Sequence, residues 1–276
     1  MTATTMTTTT STSRASFAER AMTPIEHHEL GPGVDAYFSG RRADGPASAI
    51  ASDDNLAHHR PHDPSRLAAA RAGVASRTRT ELDRWITMRQ VHGAAVATVG
   101  SGPGHEVRGV DAAVTREHDL SLVVMVADCV PVLLAGPSTI AAVHAGWRGV
   151  VTGVVDTAVL RIGELDGADA QVTAVVGPSI GPCCYEVGEE VATEVGRRAP
   201  SSVTSSTSGR TSVDLDSAVR GALRSHGVRV VDRAATCTRC TPGWFSHRAD
   251  PTSGRQVGIV VRRGRTGADR VAGRRA

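Results

Sequence analysis

The sequence predicts a single compact domain of mixed α and β structure. Three observations carry this. Two apolar runs, Leu122–Ala127 (LVVMVA) and Thr139–Val143 (TIAAV), have the length of strands buried on both faces. Apolar residues at Val150, Val154, Val155, Ala158, Val159 and Ile162 then follow helical spacing. No repeat of fixed period and no clean linker divides the 276 residues, a length that suits one large domain.

Taken in chain order, residues 1–23 are Thr/Ser-rich with few apolar residues and are expected to be disordered, because they cannot offset the entropy of ordering. The folded body is expected over 24–261 and an Arg-rich disordered tail over 262–276. Asp63-Pro64 reads as an N-cap followed by Pro at the first helical position, opening a helix through Leu67 to Arg71 with Gly73 as its stop. Ile86–Met88 and Val96–Val99 read as strands around Gln90-Val91-His92-Gly93. Beyond the Gly146-Trp147-Arg148-Gly149 turn, a helix starting at Gly149 would aim its amides toward a loop carrying Arg148. Val172–Val176, Val228–Val231 and Gln256–Val261 read as strands, Glu186–Arg198 and Leu215–His226 as helices, and 199–212 as a loop.

Composition removes several classes of function. All 31 basic residues are arginine, which excludes a Schiff-base lysine and a P-loop ending in G-K-[ST]. Aromatic residues make up 3% of the chain, too few for stacking platforms on single-stranded nucleic acid. The net charge of +3 sits in the tail, where 262–276 hold six arginines and one acid, so the body is mildly acidic. No nucleic-acid partner is expected. No run approaches the ~18 apolar residues that cross a bilayer, and five cysteines in a chain this long are no disulfide framework. A reducing, cytoplasmic compartment and no membrane partner are the expectation.

Three residues stand out for chemistry: His92 in QVHG, Cys129 in VADC and His144 in VHAGWRG, each beside a short apolar run. Two imidazoles and a thiolate suit Zn²⁺ with a fourth position open. Histidines at strand ends are also ordinary satisfied polar residues, and a lone Cys is a small buried hydrophobe; spacing alone leaves both readings open. Asp128 is either a proton carrier beside the metal or the cap of a strand-end turn. Cys183 and Cys184 are adjacent, too tight for one metal to use both readily, and read as packing residues. Cys237-Thr-Arg-Cys240 is a lone C-x-x-C that would need two more ligands to hold zinc.

The strings VMVADCVPVLLAGP, AAVHAGWRG, VVGPSIGPCCYEVG, CTRCTPGWFSHRAD and SGRQVGIV strongly resemble the YfiH-type family, also called laccase-domain proteins or multifunctional purine nucleoside enzymes. The resemblance spans about residues 86–261. It implies an α+β fold, a four-layer α/β/β/α sandwich with mixed sheets, and one metal held by His92, Cys129 and His144. It further implies phosphorolysis of adenosine, inosine and methylthioadenosine, deamination of adenosine, and purine nucleoside and phosphate as partners. Arg148 and Arg248 suit bidentate phosphate binding, and Tyr185 is a pocket-wall contact. Arg41 and Asn55 are the residues that correspond to nucleoside contacts in the family. The following loop, HHRPHDP, departs from the family pattern, and His58, His59 and His62 read as exposed loop histidines.

Members have also been described as copper-dependent polyphenol oxidases. The chain has none of the His-x-His pairs of a trinuclear copper cluster, so an oxidase would need copper in the same His₂Cys site. Two further readings use the same residues: a metal-free amidase or deamidase with Cys129 as nucleophile and His144 as base, and a non-catalytic module stabilised by zinc.

Overall fold

The computed structural model describes residues 23–231 and 233–264. The expected disorder of 1–22 and 265–276 lies outside the described residues. The chain begins with β1 (Ile25–Gly31) and β2 (Val34–Ser39), an antiparallel hairpin, then α1 (Pro64–Thr78). Strands β3 (Trp85–Arg89), β4 (Val96–Thr98), β5 (Glu106–Arg108), β6 (Ala112–Thr115), β7 (Ser121–Val126), β8 (Val130–Ala135) and β9 (Ile140–Ala145) follow. Next come α2 (Trp147–Thr152), α3 (Val154–Asp166), β10 (Thr173–Val176) and α4 (Glu189–Arg198). The chain closes with β11 (Val203–Ser205), β12 (Thr211–Val213), α5 (Leu215–Ser225), β13 (Arg229–Val230) and β14 (Gln256–Arg262).

Two six-stranded sheets carry the molecule, in the orders β1-β2-β14-β7-β3-β5 and β13-β10-β8-β9-β6-β4. Both are mixed: β3 pairs in parallel with β5 and β7, while β14 runs antiparallel to β2 and β7. Side-chain alternation explains the layering. Leu122, Val124 and Val126 of β7 point inward to meet Leu133, Ile140 and Ala142 of the other sheet. Val123 and Met125 point the other way, against Ala70, Val74 and Ala75 of α1. The outer face of the second sheet is covered by Val155, Ala158 and Ile162 of α3 together with Val195, Val219 and Leu223. The order is thus helix, sheet, sheet, helices, as the resemblance implied. Truncating a fully buried inter-sheet residue such as Leu133 to alanine should cost ~2–5 kcal/mol.

Several local expectations shift. The helix capped by Asp63, whose carboxylate accepts the N–H of Arg66 at 2.9 Å, runs through Gly73 to Thr78, since Val74, Ala75 and Thr78 are buried and reward its continuation. The helix expected from Glu186 starts at Glu189 behind Gly188. The expected loop over 199–212 instead carries the β11–β12 hairpin, which pairs Val203 through Ser205 with Thr211 through Val213. Strand β14 extends one residue past the expected boundary at 261. Arg262 donates to the carbonyls of Gly136 and Thr139, and Arg263 pairs with Asp35 at 2.8 Å, so these two arginines are docked on the body. Among the described residues no helix is long and apolar enough to cross a membrane.

Candidate functional site

The two inner strands β8 and β9 pair antiparallel with Val130 opposite Ala145 and Pro131 opposite His144. Cys129, the residue just before β8, therefore lies beside the end of β9 that carries His144. The QVHG turn after β3 closes over this end. It is pinned by Gln90, whose side-chain amide donates to the Met125 carbonyl at 2.8 Å and accepts the Met125 N–H at 2.9 Å. The donor atoms of His92, Cys129 and His144 consequently all fall within 4.8 Å of one another. The two imidazoles meet edge to face, centroids 4.7 Å apart.

A residue absent from the sequence reading organises this trio. Asp111, fully buried before β6, accepts the His144 Nδ1–H at 2.8 Å and the backbone N–H groups of His92 at 2.9 Å and Gly93 at 2.7 Å. Burial favours the protonated acid, but the hydrogen bonds from His144 and these amides hold the Asp111 carboxyl below its ordinary range. With Nδ1 committed to Asp111, His144 turns Nε2 toward Cys129. Backbone strain marks the same spot: His92 has φ +62° and Asp128 φ +89°, left-handed values that residues with a Cβ adopt at a cost.

The charges of these three side chains depend on one another. Burial alone would raise the Cys129 thiol, yet the His144 imidazolium and hydrogen bonds from both histidines bring it down to about 6. Burial alone would lower His144, yet the Cys129 thiolate and Asp111 raise it to about 9. A site that stabilises a thiolate against two imidazoles fits a soft-to-borderline cation such as zinc. Gly146 is part of the fit, because a Cβ there would stand 2.9 Å from His92 Cδ2 and 3.2 Å from Cys129 Sγ. Among the described residues no fourth His, Cys, Asp or Glu joins the group, which leaves a position for an exogenous ligand. Copper suits the same donors; the set does not choose between the two metals.

The trio forms one end of a cavity of about 560 Å³. Five arginines line it (Arg60, Arg89, Arg148, Arg248 and Arg255) against one acid, Asp128. Arg148 lies in the first turn of α2, which begins at Trp147 and not at Gly149 as expected; its guanidinium stacks over the Trp147 ring at 4.3 Å. Arg248 stacks on Tyr185 at 5.0 Å and donates to the Glu186 carbonyl at 2.7 Å. Burial and the nearby Cys129 push the Tyr185 hydroxyl up to about 12. The Asp128 carboxylate accepts from Thr238 Oγ1 at 2.6 Å and from the Arg248 backbone N–H at 2.7 Å, so it ties down the loop that carries Arg248.

Two residues named from the sequence do not line the cavity. Arg41 donates to the carbonyls of Trp244, Arg42 and Gly45, bracing one loop on another. Asn55, buried, accepts the backbone N–H of Arg255 at 3.0 Å and so reaches the cavity only through that arginine. The histidine loop divides. His58 is taken up by Glu106 and Arg71, and His62 by the Arg60 carbonyl, whereas His59 reaches the cavity wall. His59 is exposed, as expected, and partial burial of its ring against that wall, with Arg255, His58 and Arg60 nearby, lowers it to about 4.

Comparison with known proteins bears on the family and the fold. The family model described as multi-copper polyphenol oxidoreductase laccase matches residues 36–263. A Streptomyces coelicolor protein described as a purine nucleoside phosphorylase is 38% identical over 229 residues, covering 82% of this chain and 95% of its own. YlmD of Geobacillus stearothermophilus, described in the same words, is 30% identical over 243 residues, covering 81% and 87%. Its crystal structure superposes with a TM-score of 0.74 at 28% identity, over 84% of this chain and 93% of that one. Bacillus licheniformis YfiH gives a TM-score of 0.72 at 27% identity, over 83% and 92%.

Proposed function

The chain belongs to the laccase-domain, or YfiH-type, family, and on that premise we propose that it is a zinc-dependent purine nucleoside phosphorylase that also deaminates adenosine. The observation that carries this reading is a His₂Cys donor set and five arginines in one cavity. A cavity this cationic favours an anionic co-substrate, and inorganic phosphate has the charge and the oxygen geometry that guanidinium forks match. The volume falls in the range of small-molecule sites. Adenosine, inosine and methylthioadenosine are the nucleosides assigned to it.

His92, Cys129 and His144 would hold the zinc, which when bound supplies Lewis acidity at that end of the cavity. Arg148 and Arg248 bind and orient the phosphate, each with its guanidinium plane fixed by an aromatic ring. In phosphorolysis an oxygen of hydrogen phosphate bonds to ribose C1′ as the C1′–N9 bond breaks, and the departing base takes up the proton that the phosphate gives up. Tyr185, kept protonated, has its hydroxyl available to donate a hydrogen bond to the substrate. His59, neutral at pH 7, offers an uncharged ring for contact with the base. Asp128 positions Arg248, and Asn55 positions Arg255; Arg41 braces the loop outside.

One observation favours a second reading. The thiolate of Cys129 beside the imidazolium of His144 is also the pair used by a metal-free thiol amidase. The test is metal quantification alongside a product assay with adenosine plus phosphate. Adenine and ribose 1-phosphate that appear only with phosphate, and are lost to both chelator and thiol alkylation, support the nucleoside reading. Activity toward an amide that survives chelator but not alkylation establishes the thiol hydrolase. Phenol oxidation by the copper-loaded protein would favour an oxidase, and absence of any turnover an interaction module.

A further inference from the structure

Four of the five cysteines meet at a second point. Cys183 and Cys184, from the turn GPCCYE, and Cys237 and Cys240, from CTRC, bring their sulfurs all within 4.8 Å of one another. Sequence reading took the first two as packing residues and the other two as an incomplete C-x-x-C. The fold brings the two pairs together: Ser179 and Cys237 form a parallel bridge, and the Thr238 N–H donates to the Ser179 carbonyl at 3.0 Å.

Two features separate the cluster from ordinary packing. The first is spacing, since Cys183 Sγ and Cys240 Sγ are 3.8 Å apart. A tetrahedron with Zn–S bonds of ~2.3 Å has edges of about 3.8 Å, whereas a disulfide draws its sulfurs to ~2.05 Å. The second is the cradle. A Cβ on Gly181 would lie 3.2 Å from Cys237 Cβ and 3.3 Å from Cys183 Sγ, so a side chain there would crowd the sulfurs.

We infer that Cys183, Cys184, Cys237 and Cys240 form a structural tetrathiolate zinc site. Four thiolates leave no open position, so the metal is a staple and takes no substrate. It joins the 179–188 turn to the loop from 233 to 248. Tyr185 and Arg248 extend from those two segments, and Thr238 anchors Asp128 between them. The consequence for positioning substrate rests on the proposed function; the site itself does not.

The experiment uses the full chain with Cys129→Ala, purified anaerobically without added thiol, which leaves only these four cysteines. Metal analysis should find about one tightly held zinc per chain and, on denaturation, four titratable thiols. Cobalt substitution should give intense thiolate-to-cobalt charge-transfer absorption that a pair of histidines cannot produce. Adding Cys237→Ser and Cys240→Ser should abolish both the metal and the absorption. A folded Cys129→Ala protein with no tightly held metal, with fewer than four thiols, or with iron in place of zinc would overturn the assignment. The wild-type chain separates the two sites: it should hold two zinc ions. A single ion that survives Cys129→Ala counts against the His₂Cys reading, and a single ion lost with Cys129→Ala counts against this one.

Discussion

His144 Nδ1 stands 2.8 Å from Asp111 Oδ1, and the same carboxylate receives the backbone N–H groups of the turn that presents His92. One buried acid therefore orients one proposed ligand directly and another through its backbone. Asp111→Asn preserves the shape but removes the charge and replaces one acceptor oxygen with a donor. We expect metal affinity to fall ~10–100-fold, measured by competition with a chromophoric chelator. An unchanged affinity in the folded variant would show that Asp111 serves the fold alone.

Cys129→Ala should abolish phosphorolysis and deamination together, because both reactions are assigned to the one centre. Circular dichroism should remain that of the wild type, since the surrounding strands are held by the inter-sheet core and not by the thiol. Retention of either activity would separate that reaction from the metal ligands.

What the sequence made legible follows from where information is local. LVVMVA showed a strand buried on both faces because every one of its residues is apolar, and HAGWRG and QVHG carried their histidines in recognisable strings. Asp111 was illegible: it sits in GVDAAV with no local mark, and its role arises only when β6 brings it under a turn eighteen residues away. Arg255 was equally hidden, because its place on the cavity wall depends on Asn55, 200 residues away. The meeting of the two cysteine pairs was illegible too, since adjacency on the chain says nothing about the second pair that the Ser179–Cys237 bridge brings alongside. The continuation of α1 through Gly73 was missed because burial of Val74 and Ala75 outweighs the helix cost of glycine.

Acid stability should depend on Glu26. Burial alone would raise its carboxyl, but the His28 imidazole 3.8 Å away and the hydrogen bonds and charge of Arg233 bring it from 4.5 to about 2. The folded value lies below the unfolded one, so the pair stabilises the protein above about pH 4.5 and loses that contribution as pH falls toward about 2. Because Glu26 is partly exposed, solvent screening keeps the effect to about 1 kcal/mol or less. Glu26→Gln should lower the Tm near pH 6, with the gap to wild type closing as pH falls through that window. A gap that is constant with pH would show that the carboxylate charge contributes nothing.

Arg148 offers the sharpest division between the two proposed reactions. Its guanidinium lies in the first turn of α2, flat on Trp147, and it faces the cavity where Arg248 also projects. If it holds phosphate, Arg148→Ala removes a charge-assisted contact of ~1.5–3 kcal/mol, which is roughly one to two decades in rate. Phosphorolysis should then fall by up to ~10²-fold, with a raised KM for phosphate, while deamination, which uses water, falls far less. Arg148→Lys should recover part of the loss, because the charge returns without the bidentate fork. Trp147 and Arg148 together form part of the wall, so a purely steric role is the competing explanation. Under that role both reactions would drop by the same factor and the KM for phosphate would not move, and Arg148 would lose its place as a phosphate ligand.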